Sequence, residues 1–303
     1  MNQKKSKRRC WRYLPDVLRG AGIGCAFIIP GFSGGSVAAI LGIYERLVGA
    51  IADILHSFKK SLATLLPIGI GMVLGIISLL FPLKWALSAF PIPTVCLFLG
   101  LALGGVPSIT DELRGGIKPS QIPAFFLPFI LAAGLAFLPI GADVDLFALD
   151  FFGYVLLFLV GAIGASALVI PGISGSMLLL IFGYYNPIVR MLTDHLLCGK
   201  DVLKCLLVLG TVALGIAIGF FMISVIMKRL LRDYPRGTYT AILGFILGSI
   251  PSLFASVAKE ANLTLATALP TPLYTIASIF LLLLGVSSSF ALYFFAKKKR
   301  NCK

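Results

Sequence analysis

Two short segments concentrate residue types able to hold an anion away from water. Pro30, Gly31, Ser33, Gly34, Gly35 and Ser36 make up the first, and Pro171, Gly172, Ser174, Gly175 and Ser176 the second. Each proline lacks an amide hydrogen and ends a helical ladder, while the neighbouring glycines permit backbone angles closed to other residues. The helix that restarts after such a break begins with N–H groups that have no partner inside it, and partial positive charge gathers at that end. Serine hydroxyls beside it complete a binding site for phosphate, carboxylate or halide. The residues of catalysis are not beside them. The sequence holds no HExxH and no clustered carboxylates, and its two histidines, His56 and His195, lie away from the motif serines. Six cysteines form no CxxC pair, so neither a metal site nor a disulfide framework is expected. The chemistry is that of binding, with no catalytic residue, metal or cofactor.

The two segments belong to a duplicated unit. GAGIGCAFIIPGFSGGSVAAILGIYERLV from Gly20 and GAIGASALVIPGISGSMLLLIFGYYNPIV from Gly161 align without a gap, sharing Pro30/Pro171, Gly31/Gly172, Ser33/Ser174, Gly34/Gly175, Gly42/Gly183 and Tyr44/Tyr185. FLGLALGGVPS from Phe98 is echoed by ILGFILGSIPS from Ile242. A break repeated at matched positions of two apolar halves marks where membrane transporters hold their substrate. The halves are residues 1–150, with a motif over 17–54, and 151–303, with a motif over 152–193.

The elements that position these segments are membrane helices. Hydrophobic residues are 58% of the chain and charged ones 13%, with a mean hydropathy of +1.00, against about 45–50% and about 25% in soluble domains. Apolar runs of spanning length lie near 61–81, 121–141, 205–227 and 272–296, and shorter ones near 94–109 and 238–251. The net charge of +14 does not point to nucleic acid, because the basic residues fall in short segments between apolar runs. MNQKKSKRRCWR reads as a cytoplasmic anchor beside anionic lipid. It also has the form of a signal-peptide start, with Cys25 as a poor lipobox cysteine, but cleavage would destroy a segment whose twin stands intact in mid-chain.

Each motif has two apolar arms, Val17 to Ile29 and Ser36 to Ile54 in the first copy. A first arm of this length reaches the midplane but hardly crosses. If each motif enters and leaves on one side, every half has three full crossings and the second half is inverted. The bases between runs then divide 21 inside to 5 outside, against 17 to 9 for parallel halves. The positive-inside rule favours the first arrangement. The expected fold is an all-α polytopic membrane protein of two inverted-topology repeats, each with a re-entrant broken-helix hairpin and about three full transmembrane helices. Both termini are then cytoplasmic. A full two-span hairpin gives the same sidedness and stays open.

Breaks entering from opposite faces would meet near the midplane in one cavity. Gly71/Gly75, Gly100/Gly104, Gly215/Gly219 and Gly244/Gly248 have the i, i+4 spacing of close helix approach and are assigned to packing. Glu45 and Arg46 form a candidate gate or proton-coupling pair. Tyr44 and Tyr185 read equally as interface residues or cavity-lining hydroxyls.

PGFSGGSVAAILGIYERL at 30–47 and PGISGSMLLLIFGYYNP at 171–187 resemble the bacterial polyprenyl-phosphate transporter family, PopT, over nearly the whole chain. The resemblance implies a flippase in the bacterial cytoplasmic membrane. Its partners would be the bilayer and polyprenyl phosphate, with undecaprenyl phosphate returned to the cytoplasmic leaflet for envelope synthesis. It departs at Asn186, where an acid equivalent to Glu45 would be expected. From the residues alone, a small-anion channel or exchanger with the same inverted repeats is the alternative. A lipid phosphatase is disfavoured by the missing catalytic groups, and a purely structural role leaves the duplicated break unexplained.

Overall fold

A computed structural model describes residues 2–28, 33–113, 116, 118–139, 141–172, 175–196, 198–260 and 272–301. Every regular element among the described residues is helical. The first copy runs through α1 (Asn2–Ile28), α2 (Gly34–Ile40), α3 (Tyr44–Ala52), α4 (Phe58–Ala89), α5 (Pro91–Thr110) and α6 (Ile122–Gly134). The second runs through α7 (Phe151–Val169), α8 (Gly175–Ile181), α9 (Tyr185–Arg190), α10 (Val202–Asp233), α11 (Pro235–Glu260) and α12 (Pro272–Asn301). Among the described residues four segments are long and apolar enough to cross a membrane: Phe58–Leu79, Pro91–Leu113, Val202–Asp233 and Pro272–Ala291. The protein is therefore a polytopic helical membrane protein.

The run near 121–141 is shorter than its sequence indicates. Helix α6 has 13 residues, about 20 Å at 1.5 Å per residue, and gives way to one 3₁₀ turn, Leu135–Phe137. Leu138 is already extended, at φ −69° and ψ 137°, because the ring of Pro139 disfavours helical angles in the residue before it. The first arm departs in the opposite direction. Helix α1 continues through the basic N-terminal segment, giving 27 residues or about 40 Å; lysine and arginine are good helix formers. The added turns carry Lys4, Lys5, Lys7, Arg8, Arg9 and Arg12, so the apolar part of α1 keeps its short length and α1 is not among the segments long and apolar enough to cross.

The second arm is not one helix either. Leu41–Ile43 divides it into α2, of 7 residues, and α3, of 9. Gly42 takes the left-handed angle φ 65° and its twin Gly183 φ 77°, so each ends its short helix in the same way. The Ile43 and Gly42 amides donate back to Ala38 and Ala39. The Tyr184 and Gly183 amides make the matching bonds to Leu179 and Leu180. This paired closure by a left-handed glycine satisfies carbonyls that the helix end would leave bare.

The assigned packing glycines lie at backbone-to-backbone contacts. A Cβ on Gly71 or Gly75 of α4 would stand 2.0 or 2.2 Å from the Val17 or Ala21 carbonyl oxygen of α1, and one on Gly215 or Gly219 of α10 would stand 2.3 Å from those of Phe158 or Ala162 of α7. Gly100 and Gly104 of α5 meet the Leu282 and Val286 carbonyls of α12, while Gly244 and Gly248 of α11 meet the Phe125 and Phe129 carbonyls of α6. No real side chain fits these gaps, so the glycines set how closely the helices approach. Within each half the first long helix packs on the next, α1 on α4 and α7 on α10. The later helices pair across the halves, α5 with α12 and α11 with α6.

Candidate functional site

The end of α7 brings the two breaks together. Ile170, its C-cap, is extended at ψ 117°, and Pro171 has no amide with which to continue the helix. Carbonyls of the last turn are left without helical partners. Two of them accept hydrogen bonds from the first copy. The Tyr44 hydroxyl donates to the Val169 carbonyl at 2.9 Å, and the Ser33 hydroxyl donates to the Ile170 carbonyl at 3.3 Å. Both side chains are buried, at 3% exposure each. Tyr44 is thus a residue of the interior rather than of an interfacial belt.

Ser33 also caps α2. At φ −98° and ψ 132°, its Oγ accepts from the Gly35 amide at 3.2 Å, while its carbonyl accepts from the Ser36 and Val37 amides at 3.0 and 3.4 Å. The sequence leads one to expect partnerless amides here. Instead Ser33 satisfies two of them, Gly35 through its hydroxyl, as serine at an N-cap does, and Ser36 through its carbonyl, while the Val37 bond is the first of the helix itself. Gly34, Gly35 and Ser36 are buried beside it.

A cavity of about 260 Å³ opens at this junction. Gly34 and Gly35 of α2, Tyr44 of α3 and Val169 of α7 contribute to its wall. Hydrocarbon side chains from α1, α3, α4 and α10 supply the rest, among them Ile23, Val48, Ile68, Met72 and Phe220.

The second break is seated differently. Pro171 is fully buried, and Gly172 adopts φ 91° against the Phe245 and Ile246 backbone of α11. Gly175 is buried at the start of α8, with Ser176 half-buried after it. Pro30, Gly31 and Ser174 lie outside the described residues. Tyr185 is 37% exposed and is not among the residues lining this cavity, so matched sequence positions have unlike surroundings.

Glu45 and Arg46 do not pair with each other. Glu45 accepts from the Tyr239 hydroxyl of α11 at 2.6 Å, and Arg46 bonds Asp16 of α1 at 2.5 Å. Asp16 also holds Arg19 at 3.2 Å. At the end of α3, Asp53 takes both its carboxylate oxygens to Lys228 of α10, at 2.5 and 2.6 Å. Three polar links therefore tie α3 to α1, α10 and α11. In the second copy Asn186 stands where Glu45 does in the first. It donates to Asp143 at 3.3 Å, and Asp143 also pairs with Arg190. Among the described residues no three His, Cys, Asp or Glu side chains gather as metal ligands.

Several participants were not evident from sequence. Asp16, Lys228 and Tyr239 are remote in the chain from their partners. The available signal was that each is a polar residue at the end of an apolar run, where an unpaired charge is costly. The Val169 and Ile170 carbonyls are signalled by the end of the helix at Pro171, since the last carbonyls of any helix lack partners within it.

No solved structure matches this chain. It is 31% identical over 257 residues to a polyprenyl-phosphate transporter of Vibrio cholerae serotype O1, covering 80% of this chain and 78% of the relative. It is 31% identical over 251 residues to a polyprenyl-phosphate transporter of Staphylococcus aureus, covering 79% and 85%. The model of a family described as VCA0040-like, undecaprenyl phosphate translocase-like, matches residues 23–268. With the paired breaks and that match over most of its length, the chain belongs to the undecaprenyl phosphate translocase-like family.

Proposed function

We propose that this protein carries undecaprenyl phosphate across the bacterial cytoplasmic membrane, acting as a flippase that returns the lipid carrier for cell-envelope synthesis. The observation that carries the reading is the direct contact of the two breaks through Ser33 and Tyr44 on the end of α7. A phosphate cannot enter hydrocarbon unaided, since an unpaired buried ion costs tens of kcal/mol on Born estimates. The motif backbone and hydroxyls replace its water: Pro30, Gly31, Ser33, Gly34, Gly35 and Ser36 from one side, and Pro171, Gly172, Ser174, Gly175 and Ser176 from the other. At 3.3 Å the Ser33–Ile170 bond is long for an O–H···O pair. A phosphate oxygen offers Ser33 a shorter, charge-assisted bond in exchange.

The same reading gives the chain two inverted repeats, 1–150 and 151–303, with the motifs as hairpins that return to the side they entered. Both termini are then cytoplasmic, in keeping with the 21 to 5 division of basic residues. The links of α3 to Asp16, Lys228 and Tyr239 lie on the cytoplasmic side in this topology. They close that entrance, with Glu45, Arg46 and Tyr44 as gate residues, while Asp143 and Arg190 near Tyr185 close the other. The family descriptions are of transporters, and the protein acts without catalytic residues or cofactor. The test is binding to the purified protein. Undecaprenyl phosphate is expected to raise its melting temperature more than undecaprenol, which lacks the anion. Equal effects of both lipids would remove the phosphate site. Rapid chloride flux through proteoliposomes without lipid movement would replace the reading with an anion channel.

A further inference from the structure

The cavity at the first break has walls unsuited to a phosphate. Its lining residues include no charged side chain, and the one hydroxyl among them, on Tyr44, already donates to Val169. An anion placed inside would have hydrocarbon on nearly every side. Yet Gly34 and Gly35, at the start of α2, form part of the same wall, so the space adjoins the proposed headgroup position. A cavity of about 150 Å³ suits a six-carbon ring. By that ratio, 260 Å³ suits roughly ten carbons, about two isoprene units.

We infer that this cavity receives the phosphate-proximal end of the prenyl chain. The headgroup and about ten carbons then leave the bilayer together, and only the remainder of the tail stays in lipid. The inference rests on the transport reading and adds a hydrocarbon subsite to it. Recognition is thereby divided between an anion held by the motif backbone and a chain held by α1, α3, α4 and α10. Gly69 makes the idea testable. Leu65, Gly69 and Met72 fall on one stripe of α4 and all line the cavity. A Cβ on Gly69 meets nothing within 4 Å, unlike one on Gly71 two residues later, so a larger side chain can be placed there without striking backbone.

The experiment is equilibrium binding of geranyl phosphate, a ten-carbon prenyl phosphate, and of inorganic phosphate to the purified full-length protein. Wild type is expected to bind geranyl phosphate more tightly than inorganic phosphate. Gly69→Leu is expected to weaken geranyl phosphate roughly tenfold or more, since excluding even two carbons from burial has that effect, and to leave inorganic phosphate unchanged. Met72→Phe fills the space from a second position and is expected to act in the same direction should Gly69→Leu fail to accumulate. Geranyl phosphate affinity unchanged in the variants that fold would overturn the subsite. Leaflet transfer separates this failure from that of the parent reading. If wild type moves undecaprenyl phosphate and the filled variants move it equally well, the subsite is wrong and transport stands. If wild type moves none, the transport reading fails, and geranyl phosphate binding alone decides the subsite.

Discussion

Replacing Gly172 with alanine is expected to lower the stability of the protein by about 2–5 kcal/mol, from two independent sources. The backbone there sits at φ 91°, and holding a residue with a Cβ in a left-handed conformation costs roughly 1–2 kcal/mol. That Cβ would also stand 2.4 Å from the carbonyl carbon and oxygen of Phe245 and 2.7 Å from the Ile246 amide nitrogen. These atoms belong to α11 and cannot rotate away as a side chain would. Nor can α11 easily recede, because Gly244 and Gly248 seat it against the Phe125 and Phe129 carbonyls of α6. Overpacking of this kind costs about 1–3 kcal/mol. At about 2–4 °C per kcal/mol for a chain of this order of size, the melting midpoint should fall by roughly 4–20 °C. The assay is loss of the monodisperse peak on heating purified protein. Gly210→Ala is the control, since its Cβ would meet nothing within 4 Å and helix interiors favour alanine over glycine by about 0.5–1 kcal/mol. A Gly172→Ala midpoint no lower than that of wild type would refute the seating of the second break on α11.

Tyr44→Phe leaves the buried Val169 carbonyl without its donor and should cost about 1–3 kcal/mol, read from the same melting curves; an unchanged midpoint would mean that this contact does not join the breaks. Ser33→Ala removes an N-cap worth about 1 kcal/mol, and in a lipid-binding titration it should also weaken undecaprenyl phosphate. Gly100→Ala places a Cβ 2.1 Å from the Leu282 carbonyl oxygen and should reduce the amount of protein in the membrane more than transport per molecule, compared by quantitative blotting and flux. Glu45→Gln keeps an oxygen for Tyr239 to bond and should fold normally; transport lost with lipid binding retained assigns Glu45 to gating or proton coupling, whereas unchanged transport removes it from the mechanism. Cysteines introduced at Asp145 and Lys298 should label from opposite sides of the membrane, and labelling from one side would end the inverted-repeat topology.

Features set by local rules were legible in the sequence. Pro171 ends α7, and the spaced glycines mark helix contacts, because each requirement is met by one residue type in one place. Features set by distant partners were not. Glu45 and Arg46 are adjacent in sequence and invite pairing, but successive residues on a helix point in different directions. They reach Tyr239 and Asp16 instead. Tyr44 and Tyr185 match in the repeat, yet only Tyr44 lies against the end of α7. Length misled at α6, which Pro139 shortens. The amides of α2 were expected to be partnerless because nothing upstream in the sequence shows that Ser33 would turn back to cap them.

The most direct test of the central claim is leaflet transfer in sealed proteoliposomes. A headgroup-labelled polyprenyl phosphate is loaded in both leaflets, and the fraction reached by a membrane-impermeant quencher is followed in time. Wild-type protein is expected to make the inner-leaflet pool accessible. Gly34→Val, which puts a β-branched side chain at the start of α2 where only a glycine stands, is expected to leave that pool protected at equal protein density. Protection of the inner pool by wild-type protein, or transfer by Gly34→Val at the wild-type rate, would contradict phosphate passage through the paired breaks.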